Sequence, residues 1–239
     1  MANSPSKNAV LSSAYNVIAV GQTDGGQDFG SDAIDSVYVA GRTRPDLVAP
    51  ETTTSTATPV VSAVAALLVE TGHNGALTLS KDSTTIAGVG TVYNAERAET
   101  IKAALMAGAD RVTDNTFTTA NITDYRSSGH QTGNGLDDRF GAGQVNVLHS
   151  YQIIAADEQN SLEDGGSNLG AIGLNGFDYD ATFGGSSGSY STATYKFNAD
   201  QDSKLSASLV WNLGVSNNNN LTTTLHDLKL ELFDETTPD

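Results

Sequence analysis

The chain has 239 residues, no cysteine, and 12 basic against 28 acidic side chains, for a net charge of −16. Such an acidic balance argues against nucleic acid, whose phosphates need clustered Lys and Arg, and against anionic membrane surfaces. The missing cysteines exclude disulfide frameworks, thiolate zinc sites and cysteine nucleophiles.

Residues 1–8 are polar and lead into no apolar core of the signal-peptide kind. Residues 16–21, Asn-Val-Ile-Ala-Val-Gly, are apolar and β-branched and predict a buried strand. Residues 23–35 are rich in Gly and Asp and read as loop, and residues 36–40 as a further strand. Arg44-Pro45-Asp46-Leu47-Val48-Ala49-Pro50 is a short apolar strand bracketed by prolines. A run of Thr and Ser follows, and Pro59 suits the first turn of a helix. The residues after Pro59 are small or apolar on every face, which predicts a helix buried all round and stopped near Gly72. The apolar run from 60 to 69 is well short of the roughly 20 residues of a membrane span.

A second helix is expected over residues 95–107, with Ala98, Ile101, Ala104 and Leu105 on one face and Gly108 as a left-handed cap. Residues 114–138 are polar and irregular, and a glycine-rich turn at 139–146 precedes a third helix at about 147–156. Beyond a polar linker at 157–175 the texture alternates as strands do, at 191–197, 205–211 and 227–233. In the second of these Leu205, Ala207, Leu209 and Trp211 share a face opposite Ser206 and Ser208, the pattern of a half-buried antiparallel strand.

The hydroxyl run by itself is a helix-capping loop. Its surroundings add more. Pro-Asp-Leu-Val-Ala-Pro leads through Thr53-Thr54-Ser55-Thr56-Ala57-Thr58-Pro59 into an apolar helix. This resembles the nucleophile region of the subtilisin-like serine proteases, Gly-Thr-Ser-x-Ala-Thr/Ser-Pro, with Thr53 where that pattern has glycine and Glu51 where it has the glycine after Ala-Pro. Tyr15-Asn16-Val17-Ile18-Ala19-Val20-Gly21, the helix before Gly108 and Phe140-Gly141-Ala142-Gly143-Gln144-Val145-Asn146 are similar to further family segments, in the family's order.

The resemblance implies an α/β fold: residues 1–157 as the C-terminal half of a subtilisin-like peptidase domain with an incomplete parallel sheet. Residues 158–239 would then be part of a jelly-roll-like, all-β sandwich. It implies acyl transfer to Ser55 in a polypeptide substrate, with the Ser55 N–H and the Asn3 side chain as oxyanion donors. It also implies secretion or display at the cell surface. The family's chain order is Asp, His, Ser, yet His73, His130, His149 and His226 all follow Ser55. The base and its carboxylate are therefore expected from sequence outside this chain, and the chain alone is expected to be inactive.

No cofactor is expected. Asp24, Asp28 and Asp32, the pair Asp137–Asp138, and Asp178 with Asp180 fit no calcium-loop spacing and read as solvated acidic loops, so no metal site is expected. Two rival readings are a non-catalytic relative that binds a partner through its β-sandwich, and a glycan-binding surface protein whose affinity lies in 158–239. The sequence leaves the oligomeric state open.

Overall fold

The computed structural model of the chain describes residues 12, 14, 16–32, 42–159, 161–163, 172–181, 183, 191–216 and 222–234. Among these residues the architecture is mixed α/β, with three α-helices and several short sheets. At its centre β1 (Val20–Gln22) pairs in parallel with β4 (Leu47–Ala49), Val20 opposite Leu47 and Gln22 opposite Ala49. Residues 143–145 extend this ladder beyond β4: Val48 N–H donates to the Gly143 carbonyl at 3.0 Å, and Val145 N–H to the Val48 carbonyl at 2.9 Å.

Strand alternation gives the sheet two different faces. Val20, Leu47 and Ala49 point to a helical layer made of Ala57, Val61, Val64 and Leu68 of α1 (Thr54–Leu79), Ile101, Ala104 and Leu105 of α2 (Ala98–Ala107), and Ile154 of α3 (Val147–Ala155). Val48 points the other way and packs with Ile122, Phe140 and the partly buried Tyr125. That second face is closed by a long loop instead of helices. Asp137 organises the loop: fully buried, it accepts from the backbone N–H groups of Arg126, Arg139 and Phe140 and from the Arg139 guanidinium. Burial pushes the Asp137 carboxyl up, but Arg139 and these N–H donors outweigh it and hold it below the usual carboxylate range.

Several expectations need correction. The first helix starts five residues before Pro59 and runs past Gly72 to Leu79, with a kink where Ala76 takes φ 44°. Gly72 is no stop: a Cβ there would lie 2.9 Å from the backbone of Ala95, so the glycine serves a close crossing. Nor is α1 buried all round. Its buried residues form one stripe, while Ala63, Ala66, Leu67 and Val69 lie exposed. By length and composition α1 is long and apolar enough to cross a bilayer, and its buried stripe packs against the sheet and the other helices.

Helix α2 buries Ile101, Ala104 and Leu105 as expected, but Ala98 is exposed. Gly108 has φ −77° instead of a left-handed conformation; a Cβ would meet the Ser150 N–H and hydroxyl within 2.8 Å, so close packing of α3 explains the glycine. Residues 23–35 are not wholly loop, since β2 (Gly30–Asp32) pairs antiparallel with β3 (Arg42–Arg44). Residues 36–40 lie outside the described ones. A solvent-facing hairpin, β5 (Ser83–Ile86) with β6 (Gly90–Tyr93), was not anticipated.

The C-terminal region differs most from its pattern. Pairing among its described residues is limited to two two-residue ladders, β7 (Leu162–Glu163) with β8 (Ala193–Thr194) and β9 (Gly214–Val215) with β10 (Thr223–Thr224), and a single parallel bridge between Glu158 and Phe177. Residues 205–211 and 227–233 run without ladder partners, and no sandwich is formed among the described residues. The 205–213 stretch lies along α2. Val210 packs with Met106, Ala109 and Ala142, Ser206 Oγ donates to the Ala107 carbonyl, and the Asn16 side chain makes a reciprocal pair with the Leu213 backbone at 3.0 and 2.8 Å.

Candidate functional site

Ser55 owes its position to a strand–loop–helix passage. β4 ends at Ala49, the chain turns through Glu51, whose N–H donates back to the Ala49 carbonyl at 2.8 Å, and α1 begins at Thr54. Ser55 is thus the second residue of a helix that starts beyond the carboxyl end of a parallel strand. This edge is the usual ligand side of an open α/β sheet. Thr53 is the N-cap, with φ −144° and ψ 152°. That is extended backbone, which a β-branched residue favours, so threonine sits here without strain where the resembled pattern has glycine.

Ser55 is exposed, and its hydroxyl has no hydrogen-bond partner among the described residues. Three nearby hydroxyls are engaged: Thr53 Oγ1 lies 3.0 Å from Thr56 Oγ1, Thr56 Oγ1 donates to the Thr53 carbonyl at 2.9 Å, and Thr58 Oγ1 donates to the Thr54 carbonyl at 2.8 Å. Those of Thr52 and Thr54, like that of Ser55, have no partner among the described residues. The helix start places partial positive charge and unpaired N–H groups beside Ser55, where an oxyanion would be favoured. Asn3, the expected second donor, lies outside the described residues.

Three of the four histidines are tied elsewhere by their Nδ1 atoms: His73 to Glu96 at 3.0 Å, His130 to Asp138 at 2.8 Å and His149 to Asp110 at 3.3 Å. His226 is exposed near the chain's end. None is a hydrogen-bond partner of Ser55 among the described residues. His73 shares α1 with Ser55 but lies about 27 Å further along the helix axis at 1.5 Å per residue.

The carboxyl edge of the sheet also carries a buried amide and hydroxyl network that sequence reading missed. Thr23 Oγ1 donates to Gln144 Oε1 at 3.1 Å, and Gln144 exchanges hydrogen bonds with the Asn115 side chain at 2.8 and 3.1 Å. The Thr23 N–H donates to the Ala49 carbonyl, which ties this network to the strand leading to Ser55. The available signal was Gln22-Thr23 directly after an apolar strand and a Gln inside the glycine turn at 141–144.

Ion pairs account for other acidic residues. Asp28 binds Arg44 at 2.5 Å in a buried pair, and Asp46 accepts from Lys102 at 2.9 Å and from the Ala19 N–H at 2.6 Å. Asp24 accepts from the Gln22 side chain and the Gly26 N–H, and Asp178 from the Tyr195 hydroxyl. No group of three or more His, Asp or Glu side chains suited to a metal ion occurs among the described residues. Glu158 is buried where α1 ends, holding the Lys81 N–H and the Asn94 amide. Burial raises its carboxyl above the usual range, against the pull of those two donors.

Compared with known proteins, the chain matches no family model, no curated protein and no solved structure.

Proposed function

We propose that this chain carries the nucleophile-bearing part of a subtilisin-like serine endopeptidase. The observation that supports this best is Ser55 itself: an exposed, unengaged hydroxyl at the second position of a helix that follows a parallel strand. In the proposed reaction Ser55 Oγ attacks a peptide carbonyl carbon and gives up its proton to a base. The base passes that proton to the departing amine as the C–N bond breaks, and water then releases the acyl group. The Ser55 N–H and the Asn3 side chain would hold the oxyanion. The substrate is a polypeptide, and the setting is secreted or at the cell surface.

The exposed apolar side of α1 is in keeping with a domain of which this chain carries only a part, the base and its carboxylate coming from the rest. The second reading is a non-catalytic relative that acts by binding a partner. It is favoured by His73, His130 and His149, which hold other carboxylates and not Ser55. The two separate on treatment of folded protein with a fluorophosphonate in imidazole buffer, where imidazole supplies a base. The endopeptidase reading expects an adduct on the Ser55 peptide that Ser55→Ala lacks. A folded protein that takes no adduct at Ser55 supports the binding reading.

A further inference from the structure

We propose that Thr53 is a positioning residue for Ser55, an inference that rests on the nucleophile reading above. Six hydroxyl residues stand between Thr52 and Thr58, and the structure does not treat them alike. Thr53 Oγ1 accepts from the Thr56 N–H at 3.2 Å and lies 3.0 Å from Thr56 Oγ1, while the Thr53 carbonyl accepts from the Thr56 N–H, the Ala57 N–H and Thr56 Oγ1 at 3.1, 3.0 and 2.9 Å. Thr53 and Thr56 therefore grip one another through both side chains and both backbones, with Thr54 and Ser55 between them. A second clip, Thr58 to the Thr54 carbonyl, closes the other side. Pro59 has no N–H to offer the Ser55 carbonyl four residues back, so these threonine clips supply order that the helix ladder lacks at this point.

The consequence is a selection. The hydroxyls of Thr53, Thr56 and Thr58 are consumed, and so is the Thr56 N–H. The hydroxyls of Thr52, Thr54 and Ser55 and the N–H groups of Thr54 and Ser55 remain without partners among the described residues, and Ser55 is the one serine among them. Two adjacent amides are thereby held next to the one serine of the run, in an orientation fixed by Thr53. Glycine at position 53 would leave the helix start without its side-chain acceptor.

The test compares two substitutions in the full chain. Thr53→Val keeps the β-branched shape and removes the acceptor, whereas Thr53→Ser keeps the acceptor. The readout is the rate of fluorophosphonate labelling at Ser55 in imidazole buffer, well below each variant's thermal midpoint, with the midpoint measured alongside. Thr53→Val is expected to slow labelling about five- to tenfold, the effect of a lost cap of ordinary strength, and Thr53→Ser to stay within about twofold. A role in stability alone would lower the midpoint of Thr53→Val and leave its labelling rate unchanged, which overturns the proposal. Equal slowing in both variants overturns it too, because the acceptor is then not the cause. A folded wild type that takes no label removes the nucleophile reading itself, and the role of Thr53 with it.

Discussion

Residues 16–158 and the stretch from 191 to 234 are both patterned for burial, and among the described residues the first achieves it broadly while the second buries only Leu213 of its large apolar side chains. In the first, Leu47, Leu68, Leu105 and Ile154 are fully buried between sheet and helices. In the second, Leu205, Leu209, Leu230, Leu232 and Phe233 remain exposed. The difference lies in where backbone hydrogen bonds come from. A helix satisfies its own N–H and C=O groups and needs only a surface for its apolar stripe, whereas a strand needs a neighbour for its backbone before its face can be buried. The C-terminal stretch finds α2 as a surface for Val210 and Asn16 as a side-chain substitute for one rung of ladder. Among the described residues it finds no partner strand of useful length.

That contrast can be broken most directly by matched truncations. Leu68→Ala should lower unfolding stability by about 4 kcal/mol in denaturant titrations, because it empties a fully buried site between α1 and the sheet. Leu232→Ala, at 70% exposure, should change it by less than about 0.5 kcal/mol. Comparable losses in the two variants would mean that the C-terminal stretch has a buried core after all.

Asp137→Asn should rank next, at about 3 kcal/mol, since it leaves the Arg139 guanidinium without its buried partner on the loop-covered face. It also carries a pH signature. The folded carboxyl is held below its unfolded value of about 3.9, so its contribution is complete above that pH and is lost as the pH falls through the folded value. Stability measured between about pH 2 and 6 should therefore fall less steeply towards acid in the variant than in the wild type.

The smallest effect concerns the seam between the two regions. Asn16→Ala removes both hydrogen bonds to the Leu213 backbone and places alanine at φ 53°, where asparagine is better tolerated. A loss of about 1 kcal/mol is expected, with faster amide exchange at Leu213. Unchanged exchange there would show that Val210, Ser206 and Asn212 hold the stretch on α2 without the Asn16 pair.

Much of the first region was legible. The apolar run at 16–21 marked a strand, though β1 forms only at Val20–Gln22 because the chain turns at Asn16. The short strand between Pro45 and Pro50 and all three helices announced themselves by apolar runs and periodicity. The hairpin of β5 and β6 escaped because it lies on the surface and buries almost nothing, so no apolar pattern marked it. The roles of Gly72 and Gly108 were misread for a related cause. Both suit a helix end in sequence, yet both are required by a neighbouring chain, Ala95 in one case and Ser150 in the other. The Thr23, Asn115 and Gln144 network joins residues far apart in the chain, and local pattern does not encode such pairings.

The sequence by itself determined the acidity, the absence of thiol chemistry, the mixed α/β character and a hydroxyl run at the head of an apolar helix, because these depend on composition and on local periodicity. Tertiary structure decided what a local pattern leaves open. It covered one face of the sheet with helices and the other with a loop built on Asp137. It buried a single stripe of a helix apolar on all sides, and left residues 205–211 and 227–233 without ladder partners among the described residues. Within the hydroxyl run it engaged Thr53, Thr56 and Thr58 and left Ser55, with Thr52 and Thr54, without a hydroxyl partner among the described residues. Each of these outcomes turns on which groups meet in space, and hydrogen bonding and packing are energies of pairs.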